Sequence, residues 1–155
     1  MKIQWKKLIV NLAIPLAVGG LSALVSGGMN TYGQLNQPPL SPPGWIFPVV
    51  WTVLYLLMGY AAYLVQVSGA DPSEIRRALI PYWLQLVVNF FWSPIFFRWE
   101  LYLTALLWLV LLWVLIFLTI RSFSTISERA GDLLIPYILW VTFAFYLNLG
   151  VYLLN

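Results

Sequence analysis

The chain has 155 residues, of which 62% are hydrophobic and only 8% charged, whereas soluble domains carry charge on about a quarter of their residues. That composition excludes a soluble domain and predicts an all-α, polytopic membrane protein: five transmembrane helices of roughly 20 mostly apolar residues each, filling one domain over 1–155. Histidine and cysteine are both absent and the formal charge is only +3. Disulfides, thiolate chemistry, Ser–His triads and realistic metal sites are therefore excluded, and the small positive charge is a topology signal rather than a nucleic-acid patch.

Lys2, Lys6 and Lys7 precede an apolar run that ends in small residues, a pattern shared with secretory leaders. The run is read here as a retained first span, 8–26, with a kink expected at Pro15. Gly19, Ala23 and Gly27 recur every fourth residue and predict a stripe for close helix contact. Residues 28–44 are uncharged, and Pro38, Pro39, Pro42 and Pro43 make this loop stiff and extended. The second span covers 45–67, with Pro48 in its first turn, where a missing N–H costs little. A short polar connection, 68–74, leads to a third span at 75–97. Arg98, Trp99 and Glu100 form a tight turn before a fourth span, 101–120, apolar on every side. The loop 121–131 holds Glu128 and Arg129, and the fifth span runs over 132–154 with Pro136 in an early turn.

Lys2, Lys6, Lys7, Arg76, Arg77, Arg121 and Arg129 fall on one side of these spans and Arg98 alone on the other. The excess of basic residues predicts a cytoplasmic N-terminus, with the Pro-rich loop on the opposite face, most naturally in a bacterial cell membrane. No internal repeat is visible, which argues against an inverted-repeat transporter. No ionisable residue lies in the middle of a span, so proton pumping and ion coupling lack their usual groups.

The remaining candidates are amides and aromatics. Gln85, Asn89 and Trp92 project within about 60° of one another on the third span. They can serve as interhelical hydrogen bonds or as a polar patch in a ligand cavity, since an amide in hydrocarbon needs a partner. Trp51, Tyr55, Met58 and Ala62 share a face of the second span; Tyr137, Trp140, Ala144 and Asn148 share one on the fifth. Each stripe alone is ordinary packing. Together they predict a cavity for a large, planar, apolar ligand. Trp5, Trp45, Trp83 and Trp99 fit interfacial belts, while Trp108 and Trp113 are expected to face lipid, a neighbouring helix or a second subunit.

Three motifs carry a resemblance. The loop and second span read Pro42-Pro43-Gly44-Trp45-Ile46-Phe47-Pro48, then Trp51-Thr52-Val53-Leu54-Tyr55 and Met58-Gly59. The third reads Gln85-Leu86-Val87-Val88-Asn89-Phe90-Phe91-Trp92, then Pro94-Ile95-Phe96-Phe97. The fifth reads Pro136-Tyr137-Ile138-Leu139-Trp140, then Phe143-Ala144 and Leu147-Asn148. In this order the chain resembles the translocator proteins, also known as tryptophan-rich sensory proteins or peripheral benzodiazepine receptors. The resemblance implies a five-helix bundle whose pocket is closed by the first loop. It implies binding of porphyrins, other tetrapyrroles and benzodiazepine-type ligands, and a homodimer in the lipid bilayer. It also implies that Ala144 and Asn89 match the family's pocket alanine and asparagine. Trp51 and Trp140 match the tryptophans to which light-driven breakdown of protoporphyrin IX is attributed in some bacterial members.

The chain departs from the family pattern in having Thr31-Tyr32 where Trp-Tyr is common, and Pro39 and Leu40 where a tryptophan often precedes the Pro-Pro pair. Tyr152 is followed by Leu153, Leu154 and Asn155, with no basic residue to complete a sterol motif. The expected function is a regulatory membrane receptor or transporter. It binds protoporphyrin IX, haem or a related tetrapyrrole as ligand and requires no cofactor. The alternatives are a light- and oxygen-dependent porphyrin-degrading enzyme and a structural membrane scaffold.

Overall fold

The computed structural model describes residues 2–27 and 32–155. Five helices in it are long and apolar enough to cross a membrane. Helix α1 spans Trp5–Ser26, and a short 3-10 turn, Tyr32–Gln34, lies in the Pro-rich loop. Then come α2 (Ile46–Gln66), α3 (Pro72–Ser93, extended by a wider turn over Pro94–Arg98) and α4 (Tyr102–Ser124). A short α5 (Glu128–Asp132) leads into α6 (Ile135–Leu154). Around the bundle the order is α1, α2, α6, α4, α3: packing is closest between α3 and α4, α1 and α2, and α4 and α6, and α2 meets α6 through Phe47 on Trp140 and Trp51 on Tyr137.

The predicted spans all exist, but several limits move because polar capping groups decide them. Helix α3 starts earlier than its apolar run: Asp71 accepts the Ser73 backbone N–H at 3.0 Å and Pro72 occupies the first turn. Ser127 Oγ accepts the Ala130 N–H at 3.2 Å and starts α5 as a separate element. The expected tight turn at Arg98–Glu100 is built differently. The Trp99 N–H donates to the Pro94 carbonyl five residues back (3.0 Å), and the Leu101 N–H to Ile95 (3.0 Å). Glu100 then reverses the chain with a φ of +54°.

Prolines inside the spans free carbonyls, and the neighbouring helix uses them. Pro94 lacks the N–H that would engage the Phe90 carbonyl; Ser22 Oγ of α1 donates to that carbonyl instead, at 2.6 Å. Pro15 likewise frees the Asn11 carbonyl, and Gly59 of α2 packs directly on it. A Cβ at Gly59 would lie 2.3 Å from the Asn11 oxygen and 2.8 Å from the Leu12 Cα. Nearby, Asn11 and Gln66 exchange side-chain amide bonds of 3.0 and 2.9 Å, tying α1 to α2. The predicted contact stripe on α1 is corrected accordingly. Gly19 does accept a close neighbour, the Tyr55 ring. Gly27, by contrast, ends the helix in the left-handed region (φ +77°) with its N–H on the Leu24 carbonyl, and the tightest backbone contact belongs to Gly59.

The half of the bundle nearer the N-terminus of α1 is solidly packed. Met58, Ala61, Ala62 and Val65 meet Leu79, Tyr82 and Leu86 of α3 and Leu112, Ile116 and Phe123 of α4, all buried. Met58 and Ala62, placed by periodicity on the Trp51 face, therefore belong to this core. Outward residues such as Leu24, Leu107 and Leu139 are exposed apolar groups, as a lipid-facing surface requires.

Candidate functional site

The other half of the bundle encloses a cavity of about 500 Å³, within the usual size range of sites for small organic ligands. Gly19, Gly20, Ser22, Ala23 and Ser26 of α1 form one wall, and Phe47, Trp51 and Tyr55 of α2 a second. Asn89, Trp92, Ser93, Phe96 and Phe97 come from α3; Trp140, Ala144, Leu147, Asn148 and Val151 come from α6. Helix α4 contributes no wall residue; it buttresses α3 and α6 from behind.

The floor is a chain of buried hydrogen bonds across three helices. Tyr55 Oη donates to Asn89 Oδ1 (2.9 Å), Asn89 Nδ2 donates to Tyr137 Oη (2.7 Å), and Tyr137 Oη donates to Gln85 Oε1 (2.6 Å). Gln85 Nε2 then points at the Met58 sulfur at 3.8 Å. In an apolar interior each such group costs free energy if left unpaired, so the chain fixes the relative positions of α2, α3 and α6. Trp51 stacks above this floor, its ring 5.6 Å from Tyr55 and 6.1 Å from Tyr137.

The Pro-rich loop forms the roof. Tyr32 reaches into the cavity, donates to the Pro42 carbonyl at 3.1 Å, and meets Phe47 edge-on at 5.0 Å. Phe47 in turn packs against Trp140 at 5.9 Å. The loop is fastened to α6. Pro38 lies so close to Gly150 that a Cβ there would sit 2.3 Å away. Tyr146 Oη donates to the Pro39 carbonyl. Asn155 Nδ2 donates to the Asn36 carbonyl (2.9 Å), and its Oδ1 accepts the Asn36 N–H (3.2 Å). Of the loop positions noted above, Thr31 lies outside the described residues, Pro39 is held by Tyr146, and Leu40 is exposed.

A family model described as TspO/MBR matches residues 11–154. The chain belongs to the TspO/MBR family. A tryptophan-rich protein TspO from Chlorobaculum tepidum is 36% identical over 148 residues, covering 96% of this chain and 94% of that protein. A tryptophan-rich sensory protein from Cereibacter sphaeroides is 35% identical, covering 100% and 95% respectively. The translocator protein of Bos taurus is 35% identical over 124 residues, covering 78% of this chain and 72% of its own.

In this TspO/MBR chain, Trp51, Tyr55, Asn89, Trp92, Trp140, Ala144 and Asn148 all line the one cavity. Gln85 and Tyr137 do not. Each is only 1% exposed and lies beneath the floor bonds it makes, so of the two readings of Gln85 the interhelical one holds. Asn89 serves both purposes, lining the cavity while both ends of its amide are engaged. Asn148 is similarly occupied: it accepts the Trp92 indole N–H at 3.1 Å and donates to the Tyr102 carbonyl at 2.9 Å. The indole nitrogen of Trp140, by contrast, is a buried polar group with no partner among the described residues.

Trp140 also borders a shallow apolar groove on the outside of the bundle between α2 and α6, together with Val50, Leu54, Leu139 and Phe143. Trp140 thus lines both the cavity and this outer groove. Trp108 and Trp113 face neighbouring helices, donating to the Val88 carbonyl (2.6 Å) and Thr142 Oγ1 (3.0 Å). The wall residues that sequence reasoning missed are chiefly Ser22, Ser26, Ser93, Phe47, Phe96 and Phe97. The spacing of Ser22 and Ser26, one turn apart on α1, was the signal available for the first pair.

Proposed function

We propose that this protein is a membrane receptor or transporter that takes a flat, mainly apolar ligand of the porphyrin or tetrapyrrole class into the cavity, with a regulatory role. The observation that carries the reading is a cavity of about 500 Å³ walled by Trp51, Trp92, Trp140, Phe47 and Phe96, in which most amides already have partners. Such a wall offers π-surfaces and asks for few hydrogen bonds, which suits a conjugated ring system. The words sensory and translocator in the names of its relatives agree with a binding role.

The test is a titration of the protein in lipid nanodiscs with protoporphyrin IX, followed by tryptophan quenching and porphyrin absorbance. Trp51→Phe and Trp140→Phe should each weaken binding by about 1 kcal/mol, while Trp108→Phe, at a residue outside the cavity, should not. Binding lost in Trp108→Phe but kept in both of the others would place the ligand elsewhere. No saturable binding would favour a scaffold role. Light-dependent bleaching to a defined product, abolished in Trp51→Phe or Trp140→Phe, would make the protein an enzyme acting on the bound porphyrin.

Free-base porphyrin should bind at least as tightly as haem. Haem iron is ordinarily held by His, Cys, Met or Tyr. The chain has no His or Cys, Met58 is completely buried below the floor, and the Tyr55 and Tyr32 hydroxyls are committed to Asn89 and to the Pro42 carbonyl. A haemin titration giving a six-coordinate low-spin spectrum and much tighter affinity would refute this.

The protein is proposed to sit in a bacterial cell membrane with its N-terminus in the cytoplasm, as the distribution of Lys and Arg favours. Single cysteines introduced in the 28–44 loop should react with an impermeant thiol reagent in intact cells, and those in 68–74 should not. The reverse pattern would invert the orientation.

A further inference from the structure

Among the described residues the cavity wall contains no charged residue. A carboxylate that entered it would lose its hydration without gaining a counter-ion, a cost that is avoided when the acid group stays at the rim. If the ligand carries an acid group, that group must stop at the rim. Seven of the eight basic residues stand at the far end of the bundle. They are Lys2, Lys6 and Lys7 before or in the first turn of α1, Arg76 and Arg77 in the opening turns of α3, Arg121 near the end of α4, and Arg129 in α5. The eighth, Arg98, closes the 27-residue span that Pro72 opens, about 40 Å away along the helix axis.

Arg98 is exposed and stands at the cavity end of α3. It follows Phe97, a wall residue, and its Nη1 donates to the Val25 carbonyl at 3.0 Å. The next residue of α1, Ser26, shares a 2.8 Å hydrogen bond with Ser93, and both serines belong to the wall. The guanidinium is thus held where the ends of α1 and α3 meet beside the cavity. One of its five N–H groups engages Val25, and a guanidinium can offer a further edge to a carboxylate in two-point fashion.

We propose that Arg98 receives the carboxylate of the ligand while the apolar ring system occupies the cavity, so that the site selects amphipathic acids: a flat apolar body with acid groups along one edge. This rests on the ligand class proposed above. A role confined to capping the last carbonyls of α1 is the competing account.

The experiment uses a matched pair, protoporphyrin IX and its dimethyl ester, titrated against the wild type, Arg98→Gln and Arg98→Lys in zwitterionic nanodiscs. Arg98→Gln should weaken the acid about two- to fivefold, the upper part of the range for a solvent-screened ion pair, and leave the ester unchanged. Arg98→Lys should retain part of the preference for the acid. Raising salt from about 0.05 to about 0.5 M should weaken the acid in the wild type but not in Arg98→Gln. An unchanged acid-to-ester ratio in Arg98→Gln, or equal weakening of both ligands together with a lower melting temperature, leaves Arg98 a helix cap and overturns the proposal. Ester binding that is indifferent to Arg98, with no preference for the acid in the wild type, removes this inference but keeps the ring site. If neither compound binds the wild type, both readings fall.

Discussion

Gly59→Ala and Gly20→Ala should move stability in opposite directions. At Gly59 the new methyl meets backbone on the facing helix, with the Asn11 oxygen at 2.3 Å and its carbonyl carbon at 2.9 Å. Backbone cannot swing aside as a side-chain tip can, so α1 must move away from α2. Forced overpacking costs about 1–3 kcal/mol, and separation of the helices would also strain the Asn11–Gln66 amide pair. At Gly20 nothing lies within 4 Å of the added carbon. There alanine restricts the unfolded chain and favours the helix by up to about 1 kcal/mol. Thermal unfolding in one detergent, followed by circular dichroism, reads both. Equal shifts of the two melting temperatures would show that the α1–α2 contact is not as close as described.

The second large effect is expected from Ala144→Phe. Ala144 lies on the α6 wall, and a phenyl ring there projects into space that the proposed ligand must fill. Affinity for protoporphyrin IX should fall at least about a hundredfold, near 2.7 kcal/mol. Stability should hold or rise slightly, because an apolar ring replaces empty volume. Opposite signs in binding and stability separate occlusion from unfolding. Unchanged porphyrin affinity in a protein that melts normally would move the ligand out of the cavity, with the groove between α2 and α6 the next place to look.

The number and order of the spans were legible because hydrocarbon thickness forces long apolar runs. Their limits were not, because Asp71 and Ser127 act through single hydrogen bonds that leave no trace in hydropathy. Periodicity identified which way side chains face but not how deep they lie. Gln85 and Asn89 share a face, yet Gln85 is one turn further from the mouth and ends under the floor; Tyr137 stands in the same relation to Trp140 and Ala144. Ser22, Ser26 and Ser93 passed unnoticed because small hydroxyl residues commonly satisfy themselves on nearby carbonyls within membrane helices. Ser26 does so on the Ser22 carbonyl at 2.6 Å, but Ser22 and Ser93 find the Phe90 carbonyl and Ser26 Oγ on the facing helix, partners visible only in three dimensions. The importance of Gly59 over Gly27 depended on Pro15, on a different helix, releasing a carbonyl at the right height.

The uncharged wall has a calorimetric consequence. Among the described residues no carboxylate borders the cavity, the chain has no imidazole or thiol, and the guanidinium of Arg98 keeps its proton across the whole accessible pH range. Filling the cavity therefore exchanges no protons between the protein and the medium near neutrality. The protein's side of the cavity adds no buffer-dependent part to the heat of association, so any dependence of that heat on buffer or pH belongs to the acid groups of the incoming molecule.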